Sequence, residues 1–170
     1  MKHKLKKYCV FISVIILFIC SCQRAPDYDK TPKIEFKSVQ KSVILSKISA
    51  SKQDSVVITL GFQDGDGDLG ITTDQVKKDP YVGFYERNYH ATLYKRVKGV
   101  YKEVFDLEGN TLKYGGFFPP LVDKEGPIDG DLNYHILISH NNAQILEAFD
   151  TLRFEIFIID RDLNQSNTIT

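Results

Sequence analysis

The chain has 170 residues with 22 basic and 22 acidic side chains, no tryptophan and three cysteines, all within the first 22 positions. Because no thiol follows Cys22, the rest of the chain has no disulfide framework, no cysteine nucleophile and no thiolate zinc site. Four of the 22 basic residues precede residue 22, so removal of that segment leaves 18 basic against 22 acidic residues. A mildly acidic body of this length predicts a single domain and argues against nucleic acid as the partner.

The first 21 residues have the features of an export signal. Positions 1–8 are basic, and an apolar run of 11 residues follows from Cys9 to Ile19, interrupted only by Ser13. A membrane-spanning helix needs about 20 apolar residues, whereas the apolar part of a secretory signal needs about 7–15. We therefore predict that residues 1–21 are a cleaved signal peptide.

The end of this run, Ile19-Cys20-Ser21-Cys22, resembles a bacterial lipobox, in which a small residue precedes a cysteine that is acylated and becomes the new N-terminus. Cys22 is preferred over Cys20 because the bulky Ile19 would otherwise occupy the cleavage position. Each buried CH₂ group of an acyl chain contributes about 0.8 kcal/mol, so several chains on Cys22 would hold the protein stably at a membrane. Ordinary secretory cleavage is the alternative.

The segment that follows is polar, and the strand patterns begin after it. Residues 22–33 contain two prolines and predict a flexible tether, with the folded domain over residues 34–170. Ile34–Val39 alternates between apolar and polar residues, which predicts a half-buried edge strand. Asp54–Phe62 is rich in β-branched residues and predicts a central strand.

The rest of the chain predicts further strands between turn-rich segments. A long irregular span is expected from residue 70 to 87, and Asn142–Phe149 has the spacing of a single helical turn. About seven short strands with almost no helix predict an all-β fold, an immunoglobulin-like β-sandwich, with a small barrel as the alternative. The later predicted strands are Asn88–Val97 and Val100–Phe105, which form a hairpin around Lys98-Gly99, then Leu112–Phe118, Asp131–Ser139, Leu152–Ile159 and Asn167–Thr170.

Three aspartates directly follow the central strand. Asp64, Asp66 and Asp68 present three carboxylates within five residues, and ionised groups this close repel one another by roughly 1–3 kcal/mol per pair. A divalent cation would turn that repulsion into coordination, and calcium suits ligands that are all oxygen. The pattern is not an EF-hand, because Leu69 stands where that loop needs glycine and no helices flank it.

A second acidic loop follows the Leu152–Ile159 strand. In an immunoglobulin-like sandwich the loops after the second and sixth strands lie at the same end. We therefore predict that Asp160, Asp162 and Asn164 approach the loop of Asp64–Asp68 and that the two loops share one ion. The alternative, in which both are solvated turns with Asp and Asn bonded to the backbone, stays open.

The lipobox, the spacer and the segment Phe62–Gly70, Phe-Gln-Asp-Gly-Asp-Gly-Asp-Leu-Gly, together resemble small lipoproteins of Bacteroidetes-type cell envelopes. We therefore expect a cell-envelope protein held in the outer membrane by its lipid. In that group, surface-exposed members often carry an acidic run just after the lipidated cysteine. Here Gln23–Pro26 intervenes, so the periplasmic and the surface face both stay open.

No catalytic motif stands out, since the chain has no Gly-x-Ser-x-Gly elbow, phosphate loop or His-Glu-x-x-His. We expect a non-catalytic binding or structural module with an unknown protein or glycan partner besides the membrane. The alternative is a carbohydrate-handling surface lipoprotein, either a glycan binder or a weak hydrolase. Its contact residues would be the aromatic side chains Tyr81, Phe84, Tyr85, Phe117 and Phe118, for which core packing is the competing interpretation.

Overall fold

The computed structural model describes residues 25–46, 51–139, 146–147 and 149–170. The predicted signal peptide, Cys22 and most of the predicted helical turn at 142–149 lie outside the described residues. The described chain is built of β-strands, with one short 3₁₀ helix at Gly83–Glu86. None of its helices is both long enough and apolar enough to cross a membrane.

The described residues form six strands in two antiparallel sheets, so the predicted all-β fold is confirmed, and the arrangement is consistent with a β-sandwich. The first sheet has the order β1-β2-β5 and the second the order β4-β3-β6. The predicted central strand is indeed the middle strand of its sheet, and the predicted edge strand at residue 34 belongs to an edge strand. The strands are β1 (Lys33–Leu45), β2 (Lys52–Asp64), β3 (Tyr89–Val97), β4 (Val100–Glu103), β5 (Ile128–Ser139) and β6 (Leu152–Ile158).

The core lies between the two sheets and follows from the alternation of apolar residues along the strands. Every second residue of β2 from Val56 onward is buried, because successive side chains of a strand point to opposite faces. In β5 the residues Leu132, Ile136 and Ile138 are buried on one face while Leu137 is exposed on the other. The second sheet contributes the buried side chains Tyr89, Ala91, Leu93, Ile156 and Ile158.

The predicted hairpin between β3 and β4 is confirmed. Lys98 and Gly99 have φ angles of 50° and 85°, the left-handed conformation that a two-residue hairpin turn requires at both positions. The predicted strand at Leu112–Phe118 is wrong, because this segment forms only isolated bridges to β3. Gly116 exchanges two backbone hydrogen bonds of 3.0 and 2.9 Å with Tyr89, and it packs against the Tyr134 side chain at a position with no room for a side chain of its own.

The predicted closing strand at residues 167–170 is likewise a single bridge, between Ile169 and Ile156 of β6. Ile169 packs against the core, and its N–H and C=O groups exchange two hydrogen bonds of 2.9 Å with Ile156. The side-chain amide of Asn167 connects this segment to the first sheet, since it hydrogen-bonds the N–H and the C=O of Ile34 at 2.8 and 2.9 Å. These contacts link the end of the second sheet to β1.

Candidate metal site

The acidic loop, Asp64–Gly70, begins at the last residue of β2 and is held by backbone hydrogen bonds from three distant segments. Its ends are anchored by Asp64 and Leu69, whose side chains are both fully buried. The loop is therefore packed in place by the rest of the fold. The three bonds run from Gly65 N to Asp29 O (2.8 Å), from Gly126 N to Asp66 O (2.9 Å) and from Arg161 N to Asp68 O (3.3 Å).

The glycine between the second and third aspartates is required by this packing. Gly67 has a φ of +73°, which residues other than glycine rarely adopt. A methyl group at this position would lie 2.5 Å from the carbonyl oxygen of Gly126. The close approach of the two segments fixes the backbone on both sides of Gly67. It thereby fixes the positions of Asp66 and Asp68.

The carboxylates of Asp64, Asp66 and Asp68 converge. Each offers one oxygen, and the three oxygens lie within 4.8 Å of one another. The Oδ2 atoms have partners in the protein: Asp64 Oδ2 accepts from the N–H of Asp68 at 3.0 Å, and Asp68 Oδ2 accepts from the N–H of Asp162 at 3.0 Å. Asp66 Oδ2 lies 3.8 Å from Lys30 Nζ.

The three Oδ1 atoms differ from the Oδ2 atoms. Oδ1 of Asp64, Asp66 and Asp68 are all buried, and none has a hydrogen-bond partner within the described protein. Buried polar atoms are nearly always satisfied, and an unpaired buried carboxylate oxygen is costly. A cation placed among these three atoms would give each of them a partner.

Burial and the repulsion of neighbouring carboxylates both disfavour the charged forms of Asp64 and Asp68. Burial, followed by the charge of Asp66, raises the pKa of Asp64 to about 6. Burial, followed by the charges of Asp160 and Asp66, raises the pKa of Asp68 to about 7. Without a cation, the loop therefore retains protons at a pH where an ordinary aspartate has lost them.

The structure brings the two predicted acidic loops together through the bond from the Asp162 N–H to Asp68, but their side chains differ in role. Asp160 is buried, and its two oxygens accept from the backbone N–H and the side-chain amide of Asn164 at 2.7 and 2.9 Å. Asp162 is exposed and contributes its backbone N–H. Asp64, Asp66 and Asp68 thus form the convergent cluster, and Asp160 and Asn164 shape the neighbouring turn.

Two residues hold the loops together in roles that were not predicted: Arg161, and Tyr81, which was expected to be a surface contact residue. The Arg161 guanidinium donates to the carbonyl oxygens of Gly70 and Gly67 at 3.3 and 3.4 Å, so it fastens the backbone of the acidic loop. Tyr81 donates its hydroxyl proton to the carbonyl oxygen of Arg161 at 2.8 Å. For the Arg161 contact, the sequence signal was a single arginine between the aspartates at positions 160 and 162.

The aromatic residues that were expected to form a contact surface differ in their exposure. Phe118 is buried in the core, which corrects its assignment as a surface residue, and its backbone is held by the side chain of Asn88. Phe84 and Phe117 are exposed. Phe84 and Phe157 both stack with the ring of the buried His90 at 4.5 Å between ring centroids and lie 6.4 Å from each other, while Tyr85 makes an edge contact with Phe84.

Comparison with known proteins gives no relative to set beside this geometry, since no protein-family description, curated protein or solved structure matches the chain.

Proposed function

We propose that this protein is a lipid-anchored cell-envelope protein whose immunoglobulin-like β-sandwich acts as a non-catalytic binding module stabilised by a bound calcium ion. The anchor is Cys22, after removal of residues 1–21, and the membrane is the outer membrane. The ion is held by Asp64, Asp66 and Asp68. The supporting observation is that each of these three carboxylates keeps one buried, unpartnered oxygen.

The donor set favours a hard divalent cation. Oxygens bound to one calcium ion lie about 2.3–2.6 Å from it, so no two of them are more than about 5 Å apart. The spread of 4.8 Å among the three carboxylate oxygens satisfies this limit without rearrangement. Calcium also takes six to eight oxygen ligands in irregular geometry, which leaves room for water beside three carboxylates.

The protein environment favours an ion over a network of hydrogen bonds. The cation nearest to the loop backbone, Arg161, donates to the carbonyl oxygens of Gly67 and Gly70. Lys30 reaches only Asp66, and this lysine is mostly exposed, so the contact contributes little. A bound divalent ion would neutralise two of the three negative charges and provide a partner for all three Oδ1 atoms.

Calorimetric titration of the full chain with calcium chloride, after removal of metal by EDTA, tests the proposal. We expect saturable heat with a stoichiometry of one and its loss in Asp66→Asn, which keeps the shape of the side chain and removes its charge. The matched control is Asp162→Asn, an equal charge change on an exposed neighbour, which should retain binding. Absence of heat in the wild-type chain, together with an unchanged melting temperature in calcium, would contradict the proposal.

A further inference from the structure

A small pocket of about 120 Å³ opens beside His90 on the outer face of the second sheet. His90 pairs directly with Phe157 of β6, and its neighbour Tyr89 is fully buried, so His90 and Phe157 lie on the face turned away from the core. Phe157 is the last residue but one of β6, so the pocket lies at the opposite end of that strand from Leu152. Among the described residues that line the pocket, three are basic, namely Arg87, His90 and Lys113, and none is acidic.

The backbone brings these basic side chains together around Gly115. Lys113 forms a bridge with Thr92 of β3, which lies two residues from His90, so the side chains of Lys113 and His90 share the outer face. A methyl group on Gly115 would lie 3.3 Å from Cδ of Arg87 and 3.7 Å from Cα of His90. The Arg87 side chain therefore packs closely over the position where Gly115 has no side chain, and this places it beside His90.

The His90 ring is held in place through one of its two nitrogens. Nε2 lies 2.7 Å from the carbonyl oxygen of Arg87, and because a carbonyl oxygen only accepts, Nε2 carries a proton and donates it. Within the described part of the chain, Nδ1 has no hydrogen-bond partner. In the neutral ring Nδ1 accepts a hydrogen bond, and in the protonated ring it donates one.

The positive charge around the pocket is not balanced by the described protein. Burial lowers the pKa of His90 most, and the charges of Arg87 and Lys113 lower it further, against the effect of the hydrogen bond to the Arg87 carbonyl. No described carboxylate forms an ion pair with Arg87 or Lys113, and both side chains are exposed. The three basic groups therefore repel one another as they stand.

The outer face carries one carboxylate from β6, and other groups engage it. Glu155 accepts from the Tyr94 hydroxyl at 2.8 Å and from the Arg153 guanidinium at 3.3 Å. The pocket is thus left with two permanent positive charges, on Arg87 and Lys113, and with a histidine that becomes a third when it takes up a proton.

We propose that the pocket beside His90 binds a phosphate group. Free phosphate or a phosphate monoester carries a charge of about −1.5 to −2 at pH 7, which matches Arg87 and Lys113 together, whereas a carboxylate carries a single charge. The planar guanidinium of Arg87 suits bidentate bonds to phosphate oxygens. Pockets for whole ligands measure about 300–1,000 Å³, so this smaller pocket takes one such group. Phe84, which stacks on His90 and is 52% exposed, would contact the molecule that carries it.

Calorimetric titration of the full chain in detergent with sodium phosphate tests the proposal. EDTA is present throughout and sodium chloride keeps the ionic strength constant, so the result does not depend on the calcium ion. We expect saturable heat with a stoichiometry of one, and Arg87→Gln should weaken binding by about tenfold or more. Lys113→Gln provides a second variant and should weaken it by about threefold or more. Circular dichroism verifies that the variants are folded.

The matched control is Arg96→Gln, an equal charge change at an exposed arginine of β3. Arg96 is on the same outer face, six residues and roughly 20 Å along the strand from His90, whereas charges are screened within about 8 Å at physiological ionic strength. This variant should bind phosphate like the wild type. The NMR signals of the His90 ring protons, assigned by their absence in His90→Phe, should shift when phosphate is added to the wild type.

Titration with glucose 6-phosphate, and with glucose alone, identifies the source of the phosphate group. Equal or weaker binding of glucose 6-phosphate would indicate free phosphate as the ligand. Tighter binding would indicate a phosphate carried on a larger molecule, and Phe84→Ala should then remove the difference. No saturable heat with either phosphate compound, saturable binding of glucose alone, unchanged binding in both Arg87→Gln and Lys113→Gln, or equal weakening by Arg87→Gln and Arg96→Gln would each overturn the proposal.

Discussion

The substitution Asp66→Asn separates an ion site from an ordinary acidic turn, because the two interpretations predict different signs. The asparagine keeps the shape of the side chain and the backbone bond from Gly126 N to Asp66 O. It removes one of three charges whose oxygens lie within 4.8 Å of one another. In EDTA the variant should therefore be more stable than the wild type, and in calcium it should be less stable.

The expected stabilisation of Asp66→Asn in EDTA follows from the distances between the carboxylates. Two ionised carboxylates 4.8 Å apart repel by about 3.5 kcal/mol at an effective dielectric constant of 20, and Asp66 takes part in two of the three pairs. Protons already relieve part of this repulsion, since the pKa values of Asp64 and Asp68 are about 6 and about 7. We expect a net gain of about 1–2 kcal/mol at about pH 8, which raises the melting temperature by about 3–6 °C in a domain of this size.

Thermal unfolding followed by circular dichroism, in EDTA and in millimolar calcium, measures the sign of the stability difference between the variant and the wild type in each buffer. The wild type should gain about 2.7 kcal/mol when calcium is present at a hundred times its dissociation constant, and the variant should gain little. Asp162→Asn, which changes charge outside the cluster, should follow the wild type in both buffers. The reasoning would be refuted if Asp66→Asn lowered the melting temperature in EDTA, or if it retained the full increase in calcium.

Further predictions concern pH, the loop backbone and the anchor. In EDTA the wild type should lose stability as the pH rises from about 5 to about 8. The reason is that burial raises the pKa values of Asp64 and Asp68, so the folded state keeps protons that the unfolded chain releases. In thermal melts, the double variant Asp64→Asn with Asp68→Asn should show a flatter dependence of stability on pH. In urea unfolding, Gly67→Ala should lower the free energy of unfolding by about 2–3 kcal/mol. Gly99 also has a positive φ but has open space around it, so Gly99→Ala should lower the free energy of unfolding by about 1 kcal/mol. Labelled palmitate should be incorporated into the wild type in cells and not into Cys22→Ala.

The parts of the fold that were predictable are those in which burial imposes a regular pattern on the residues. β2 and β5 alternate, apart from the buried Gly61 of β2, because one face of each is covered, and this alternation also indicates which face is buried. The end of β1 has no such pattern. Val43 and Leu45 are both exposed, so the extension of β1 to Leu45 depends on its pairing with β2 and could not be inferred from periodicity.

The candidate site was predictable in its residues but not in how their roles divide. The spacing of the three aspartates indicated the first acidic loop. The expectation that the two loops would meet followed from their position at the same end of a sandwich. That both Asp160 oxygens are satisfied by Asn164 within the same turn depends on the conformation of residues 160–164, where Leu163 has a φ of 67°. The bond from Gly65 N to Asp29 O joins the loop to a segment expected to be a tether, and no local pattern indicates such a contact.

The rigidity of the acidic loop is the final reason to expect an ion rather than a solvated turn. Aspartates in a free turn relieve their repulsion by turning toward water, and this costs almost nothing. Here the backbone is held by Asp29, Gly126 and Arg161, so the segments that carry the three carboxylates cannot move apart without breaking bonds to distant parts of the fold. The fold therefore maintains an unfavourable arrangement of charge that a bound cation would reverse, and the same backbone bonds would reduce the conformational entropy lost when the cation binds.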